Sequence, residues 1–219
     1  MQAQIPETPE EFWPEIDVFW KLNNKSRIFM LYGVTKKDNR ATYADGSLGV
    51  HIDYFGLRAL RPHLLHPDKS RNQLAMFRAG YLITRIPSPD GKTSTEHMPT
   101  FEAHARAPLP WGLLATDRNR WDLRFVDGVF TPRYRNRLKI ERTVKKGWLE
   151  LTPYAHAEAF YDWRWDKFHR FRYAAGAEWT ITSMFVFEAY YLGQRDTTGS
   201  PPHVNAIGAA LQFYLRRPE

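Results

Sequence analysis

The sequence predicts an all-β fold: an antiparallel, up-and-down transmembrane β-barrel of 10 or 12 strands. Three observations carry this expectation. Apolar and polar residues alternate with period two through most of the chain. The alternating runs are about 10 to 14 residues long, beyond the ~5 to 6 usual in soluble sheets but suited to tilted strands crossing a bilayer. Trp and Tyr gather where the runs end, and such rings, with an apolar body and a polar handle, favour membrane interfaces.

Taken in order, with turn residues as punctuation, the runs lie near 12–22, 26–35, 46–58, 71–85, 98–107, 113–126, 130–143, 148–161, 168–181, 183–193 and 203–216. The sixth sets Trp121, Leu123 and Phe125 against Arg120, Asp122 and Arg124. The seventh opposes Tyr134, Leu138 and Ile140 to Arg133, Arg135, Arg137, Lys139 and Glu141, its apolar side broken only by Asn136. In the eighth, Leu149, Leu151, Ala155, Ala157 and Ala159 face away from Glu150, Thr152, His156 and Glu158. The ninth and eleventh repeat the pattern with Phe171 to Ile181 and with Ile207 to Leu215. Short connections at Asn23-Asn24-Lys25, Lys145-Lys146-Gly147 and Thr182-Ser183 alternate with longer polar ones at Lys36–Asp45, Pro87–Glu96 and Gln194–Pro202, as in an outer-membrane meander. The segment Pro62–Ser70 is longer than a short end calls for.

Composition bounds the class. A length of 219 residues and a net charge of +7 suit one barrel domain over residues 1–219, with residues 1–11 a polar lead-in. Zero cysteines exclude disulfides, thiolate catalysis and Cys-ligated metal centres. The longest apolar run, Ile28 to Val34, has seven residues against the roughly 18 a membrane helix needs. The start, Met1-Gln2-Ala3-Gln4-Ile5-Pro6, has no basic or apolar leader region and opens like a mature exported terminus. The localisation expected is the bacterial outer membrane, with the export signal peptide absent from this chain.

Alternation alone leaves open which face meets lipid. Strand length, the aromatic ends and an apolar face rich in alanine (Ala155, Ala157, Ala159, Ala175, Ala177 and Ala209) favour lipid, since small side chains would leave voids in a closed soluble core. The charged face then lines the lumen: Arg118, Arg120, Asp122, Arg124, Arg133, Arg135, Arg137, Glu141, Glu150, His156, Glu158, Arg170, Arg172, Glu178 and Glu188. Opposite charges on neighbouring strands interlock as a salt-bridge network in a narrow or plugged lumen. Positive charge exceeds negative on this set, which points to small anionic solutes as partners. Interfacial aromatics are Trp13, Trp20, Trp111, Trp148, Trp163, Trp165 and Trp179. The stretch Asp162–Lys167, charges interleaved with Trp, suits outer-membrane lipids and lipopolysaccharide head groups; no nucleic-acid partner is expected.

In these same residues the chain resembles the domain-of-unknown-function 2490 family of Gram-negative outer-membrane barrels. The resemblance rests on Asp17-Val18-Phe19-Trp20, Arg118-Asn119-Arg120 with Asp122, Arg133-Tyr134-Arg135-Asn136-Arg137-Leu138, Glu158-Ala159-Phe160, and Arg170-Phe171-Arg172 with Ala175-Gly176. An Arg-rich strand, an E-x-F strand and an Arg-then-Gly strand follow in that order. The resemblance implies a membrane-embedded barrel and export, and supplies no catalytic residue. Eleven runs conflict with the even strand numbers of bacterial single-chain barrels. A miscounted strand accounts for this; alternatively, residues 10–22 enter the barrel, so that Glu15 and Asp17 meet the luminal arginines. Pairing of residues 10–20 with the last strand distinguishes the two.

No reaction is compelled. Ser47, His51 and Asp53 share one face, but a Ser–His separation of roughly 13 Å by strand rise is too long for proton transfer. Neither His97 with His104 nor His63 with His66 has a carboxylate at metal-ligand spacing. There is no Gly-rich phosphate loop, and no cofactor is expected. The functional expectation is an integral outer-membrane barrel with a structural role, or one passing or binding small anionic or amphipathic solutes. The alternatives are a lipid-modifying hydrolase of that membrane and a soluble barrel around a hydrophobic ligand.

Overall fold

The computed structural model describes residues 10–37, 42–59, 73–87, 91–198 and 202–215. They form one closed β-barrel. In chain order its strands are β1 (Glu10–Lys21), β2 (Ser26–Lys37), β3 (Thr42–Ala59), β4 (Gln73–Pro87), β5 (Thr93–Pro108), β6 (Leu113–Asp122), β7 (Phe125–Val126), β8 (Val129–Phe130), β9 (Arg133–Arg142), β10 (Val144–Lys146), β11 (Leu149–Asp162), β12 (Lys167–Thr180), β13 (Phe185–Asp196) and β14 (His203–Leu215). The short β7 and β8 prolong β6 and β9 as a hairpin, and β10 prolongs β9 beside β11. The wall therefore has eleven strands, each falling on one of the alternating runs of the sequence.

All neighbours pair antiparallel except one. β1 lies antiparallel to β2 but parallel to β14, with Phe12 opposite Ile207 and Trp20 opposite Leu215. This corrects the expectation of 10 or 12 strands: a parallel seam lets an odd number close. It also answers the question over residues 10–22, for β1 is hydrogen-bonded on both sides as a wall strand and does not thread the lumen. An odd wall puts Glu10 and Leu215 at opposite ends of the barrel, the Glu10 end and the Lys21 end.

Local sequence sets the turns. Asp127-Gly128 has φ of 48° and 85°, the left-handed pair that joins two strands with two residues in a twist-matched hairpin. The polar stretches read as long loops are shorter than expected, because strand pairing extends into them: β2 runs to Lys37, β3 begins at Thr42 and β5 at Thr93. Pro62–Ser70 lies outside the described residues.

The pleat puts one side chain in two on each surface. On β3, Leu48, Val50, Ile52 and Tyr54 point outward and are each more than half exposed, while His51 and Asp53 between them are buried. The inward face is mainly polar, with two apolar patches. At the Lys21 end, Phe19, Phe29 and Tyr214 stack with ring centroids 4.6 and 4.7 Å apart and pack with Val186. Ala174, Leu192 and Ala206 form the second patch, beside Trp13 and Tyr190. A Cβ at Gly208 would collide with the ring of its cross-strand partner Tyr190, so this position holds glycine because the ring lies across it.

Candidate functional site: the charged lumen

Strand parity on β6, β9, β11, β12 and β13 brings the arginines and carboxylates together inside the barrel. Asp122, fully buried, accepts from Arg120 Nε at 2.5 Å and from Arg133 Nε and Nη2 at 2.9 and 2.7 Å. Glu158 accepts from Arg118 Nη2 at 2.5 Å and Arg135 Nε at 2.8 Å. Arg170 grips Asp196 with two bonds of 2.6 and 2.9 Å. Lys139 Nζ lies 2.8 Å from Glu141 and 3.1 Å from Glu178. Arg124 bridges Glu96 at 2.6 Å and Asp162 at 3.4 Å. Charge-assisted bonds of this length cross-link the strands that carry them.

The remaining residues of the sequence-derived set also face inward. Glu150 accepts from Thr180 Oγ1 at 3.3 Å, His156 stacks on Tyr154, and Glu188 accepts from Tyr154 Oη and from Gln212 Nε2. Arg137 lines the cavity, where no described residue offers it a hydrogen bond or ion pair. Arg172 donates to the Gln194 side-chain oxygen at 2.6 Å and lies over the rings of Trp13 and Phe160.

Half the lumen was missed. β1 to β5 contribute Glu11, Glu15, Asp17, Arg27, His51, Asp53, Arg78, Glu96, Glu102, His104 and Arg106, which line the cavity or are buried from solvent. Asp53 holds Arg27 at 2.7 Å and Arg78 at 2.6 Å; Glu102 holds Arg120 at 3.0 Å and His104 at 2.8 Å. The signal was available: on β5, Glu96, Met98, Thr100, Glu102 and His104 alternate with His97, Pro99, Phe101 and Ala103. These added carboxylates balance the arginines among the described residues, so the positive excess inferred from the partial set does not hold. Charge is instead segregated. The arginines concentrate on β6 and β9, across the ring from the β1–β14 seam, where Glu15 and Asp17 lie on β1 and Glu188 on the next strand but one. Between them is a cavity of about 520 Å³.

The tryptophans divide between the two ends and the interior. Trp20 and Trp179 point outward near the Lys21 end, and Trp111 and Trp148 sit at the turns there; Trp163 and Trp165 occupy the turn at the opposite end. Trp13 is corrected: it faces inward, shares parity with Glu11 and Asp17, and donates from Nε1 to Glu11 at 2.8 Å. Nearness to a strand end had outweighed parity. Of the residues weighed for chemistry, Ser47 Oγ pairs with Thr84 Oγ1 at 2.9 Å, Asp53 is held by arginines, and neither His51 ring nitrogen has a partner, so the three do not converge. His97 is exposed and His104 buried, on opposite faces of β5, and His63 and His66 lie outside the described residues. Among the described residues, no group of three or more His, Asp or Glu side chains could hold a metal ion.

The outer wall carries a polar break on β6 and β9. Asp117 and Asn119 on β6 and Asn136 on β9 face outward mid-strand: Asn119 Nδ2 donates to Asp117 at 2.9 Å and Asn136 Nδ2 donates to Asp117 at 2.7 Å. Tyr134 Oη donates to Asn119.

Among solved structures, the chain is similar to the β domain of the Bordetella autotransporter BrkA, with a TM-score of 0.48 and 16% identity over 87% of this chain and 83% of that one. No curated relative matches. The model of the family described as Protein of unknown function (DUF2490) matches residues 49–205, the stretch from β3 into β14 that supplies most of the luminal charge, and the chain belongs to that family.

Proposed function

We propose that the protein is an integral β-barrel of the bacterial outer membrane whose hydrated, charged lumen binds or passes small polar solutes. The single observation that carries this is the division of the wall between a mainly apolar outer face and a mainly polar, charge-rich inner face. A soluble barrel around a hydrophobic ligand would have the faces reversed, and large apolar side chains such as those of β3 would not cover its surface. A closed barrel satisfies every wall hydrogen bond internally, as a lipid environment requires. The Trp-bearing turns at both ends fit contact with lipid and lipopolysaccharide head groups.

Refolding the chain into detergent tests the reading. The expected result is a monomer that depends on detergent and shows heat-modifiable gel mobility. A chain that stays monomeric and folded in plain buffer overturns it. Planar-bilayer recording then separates passage from binding, since a lumen closed by its side chains gives no conductance step.

A further inference from the structure

We infer that the lumen is a two-pole binding site for small zwitterions: an anionic group seats against Arg118, Arg137 and Arg172, and an ammonium group against Glu15, Asp17 and Glu188. This rests on the hydrated-lumen reading above and names its ligand class. Most luminal charges are neutralised by a neighbour at 2.5 to 3.4 Å. Arg137 and Arg172 on one side, and Glu15, Asp17 and Glu188 on the other, are the exceptions. Arg137 has no hydrogen bond or ion pair among the described residues, and Arg172 bonds only a neutral amide oxygen; beside them Arg118, paired with Glu158 through Nη2, still leaves Nε unpartnered. Opposite them, no described cation lies within ion-pair distance of Glu15, Asp17 or Glu188. Asp17, 6% exposed, has one carboxylate oxygen without a partner, and the partners of Glu188 are the neutral Tyr154 and Gln212.

Charges of opposite sign in one narrow lumen attract, and elsewhere in this barrel they pair. Here Arg118 on β6 and Arg137 on β9 lie across the ring from Glu15 and Asp17 on β1, Arg172 on β12 lies one strand from Glu188 without pairing with it, and all six residues line the 520 Å³ cavity. That volume lies within the range of small-molecule pockets, ~300 to 1,000 Å³. A monovalent anion would leave the carboxylates uncompensated, and a monovalent cation would leave the guanidiniums so. A solute carrying both charges compensates each pole at once, which makes the preference a product of two contacts instead of one. Ala210 on β14, paired with Glu15 on one side and Glu188 on the other, also lines the cavity and gives an uncharged, low surface for the ligand's methylene spacer.

The test uses the whole chain refolded in detergent, with heat-modifiable mobility as the check of folding. Binding is measured by titration calorimetry with ω-amino acids from glycine to 6-aminohexanoate, and with carboxylates and alkylamines of matching length. At least one ω-amino acid is expected to bind at one per barrel, at least ten-fold more tightly than its matched carboxylate and amine. Arg137→Gln should weaken that ligand and its carboxylate about ten-fold. The Glu15→Gln, Asp17→Asn double variant should weaken the ligand and its amine but leave the carboxylate unchanged. A folded barrel in which no zwitterion binds saturably, or in which zwitterion and matched single ions bind alike, overturns the inference, and wild-type protein alone decides this if a variant does not fold. Failure of heat-modifiable folding would instead count against the membrane reading.

Discussion

Asp122 shows how much of the barrel's stiffness one side chain can carry. Its two oxygens compensate Arg120 and Arg133, with Arg135 at 3.9 Å, and no solvent reaches it. Asp122→Asn keeps the shape and removes the charge, leaving buried guanidiniums uncompensated. It should cost roughly 3–5 kcal/mol in the urea unfolding of the refolded barrel. At the β7–β8 turn, Asp127 accepts from Ser94 Oγ at 2.7 Å and from the Thr95 N–H at 2.9 Å, and these bonds, the Ser94 bond foremost, hold its carboxyl below the usual range. A carboxyl lowered by folding adds stability above its unfolded value near ~3.9, and the gain fades as pH falls through the lower folded value. Ser94→Ala should raise the Asp127 midpoint toward an ordinary aspartate, read by carbon NMR titration of its carboxyl; an unmoved midpoint would show that the bond does not form. Such partners were only partly legible in the sequence. Parity gives the facing of Asp122 and of the arginines, but which arginine meets which carboxylate depends on register between strands, and register is not written in either strand alone.

The β6–β9 pair is where a strand departs from its own pattern. Its outer row carries Asp117, Asn119 and Asn136 among residues that otherwise suit hydrocarbon, and the three satisfy one another through hydrogen bonds. Asn136 is visible in the sequence as a break in an apolar row, but that Asp117 and Asn119 stand beside it follows only once Asp117 is known to pair with Leu138 and Asn119 with Asn136. A carboxylate on the lipid face carries a depth-dependent penalty. Replacing all three by leucine should therefore stabilise the barrel by about 1–2 kcal/mol in lipid vesicles, measured by urea midpoint; a loss of stability would mean that this strip does not face hydrocarbon. β1 illustrates the opposite difficulty. Its alternation reads correctly as a wall strand, yet Trp13 was assigned to the outside because aromatic residues near strand ends so often mark an interface.

The barrel as a whole departs from expectation in one respect, its odd strand number. The runs of alternation number eleven in the sequence, and the even-number rule argued against taking that count at face value. The rule presumes closure between antiparallel edges. Residues 10–21 give no hint of the direction of their second neighbour, because a strand edge shows the same alternation to either kind of partner. The direction is testable because the chain contains no cysteine. Single Glu10→Cys and Leu215→Cys variants in sealed vesicles should react with an impermeant maleimide from opposite sides; labelling of both from one side would require an even wall.

The β1–β14 seam also forbids an operation that barrels with adjacent ends allow. To splice residue 215 back to residue 10 and reopen the ring elsewhere, a connector would have to travel the full height of the wall. At ~30 Å of hydrocarbon thickness this takes about nine extended residues. Outside, their peptide groups would be stranded in oil; inside, they would occupy the space between Arg137 and Asp17. Circular permutants of this protein should therefore fail to assemble or assemble with an occupied lumen.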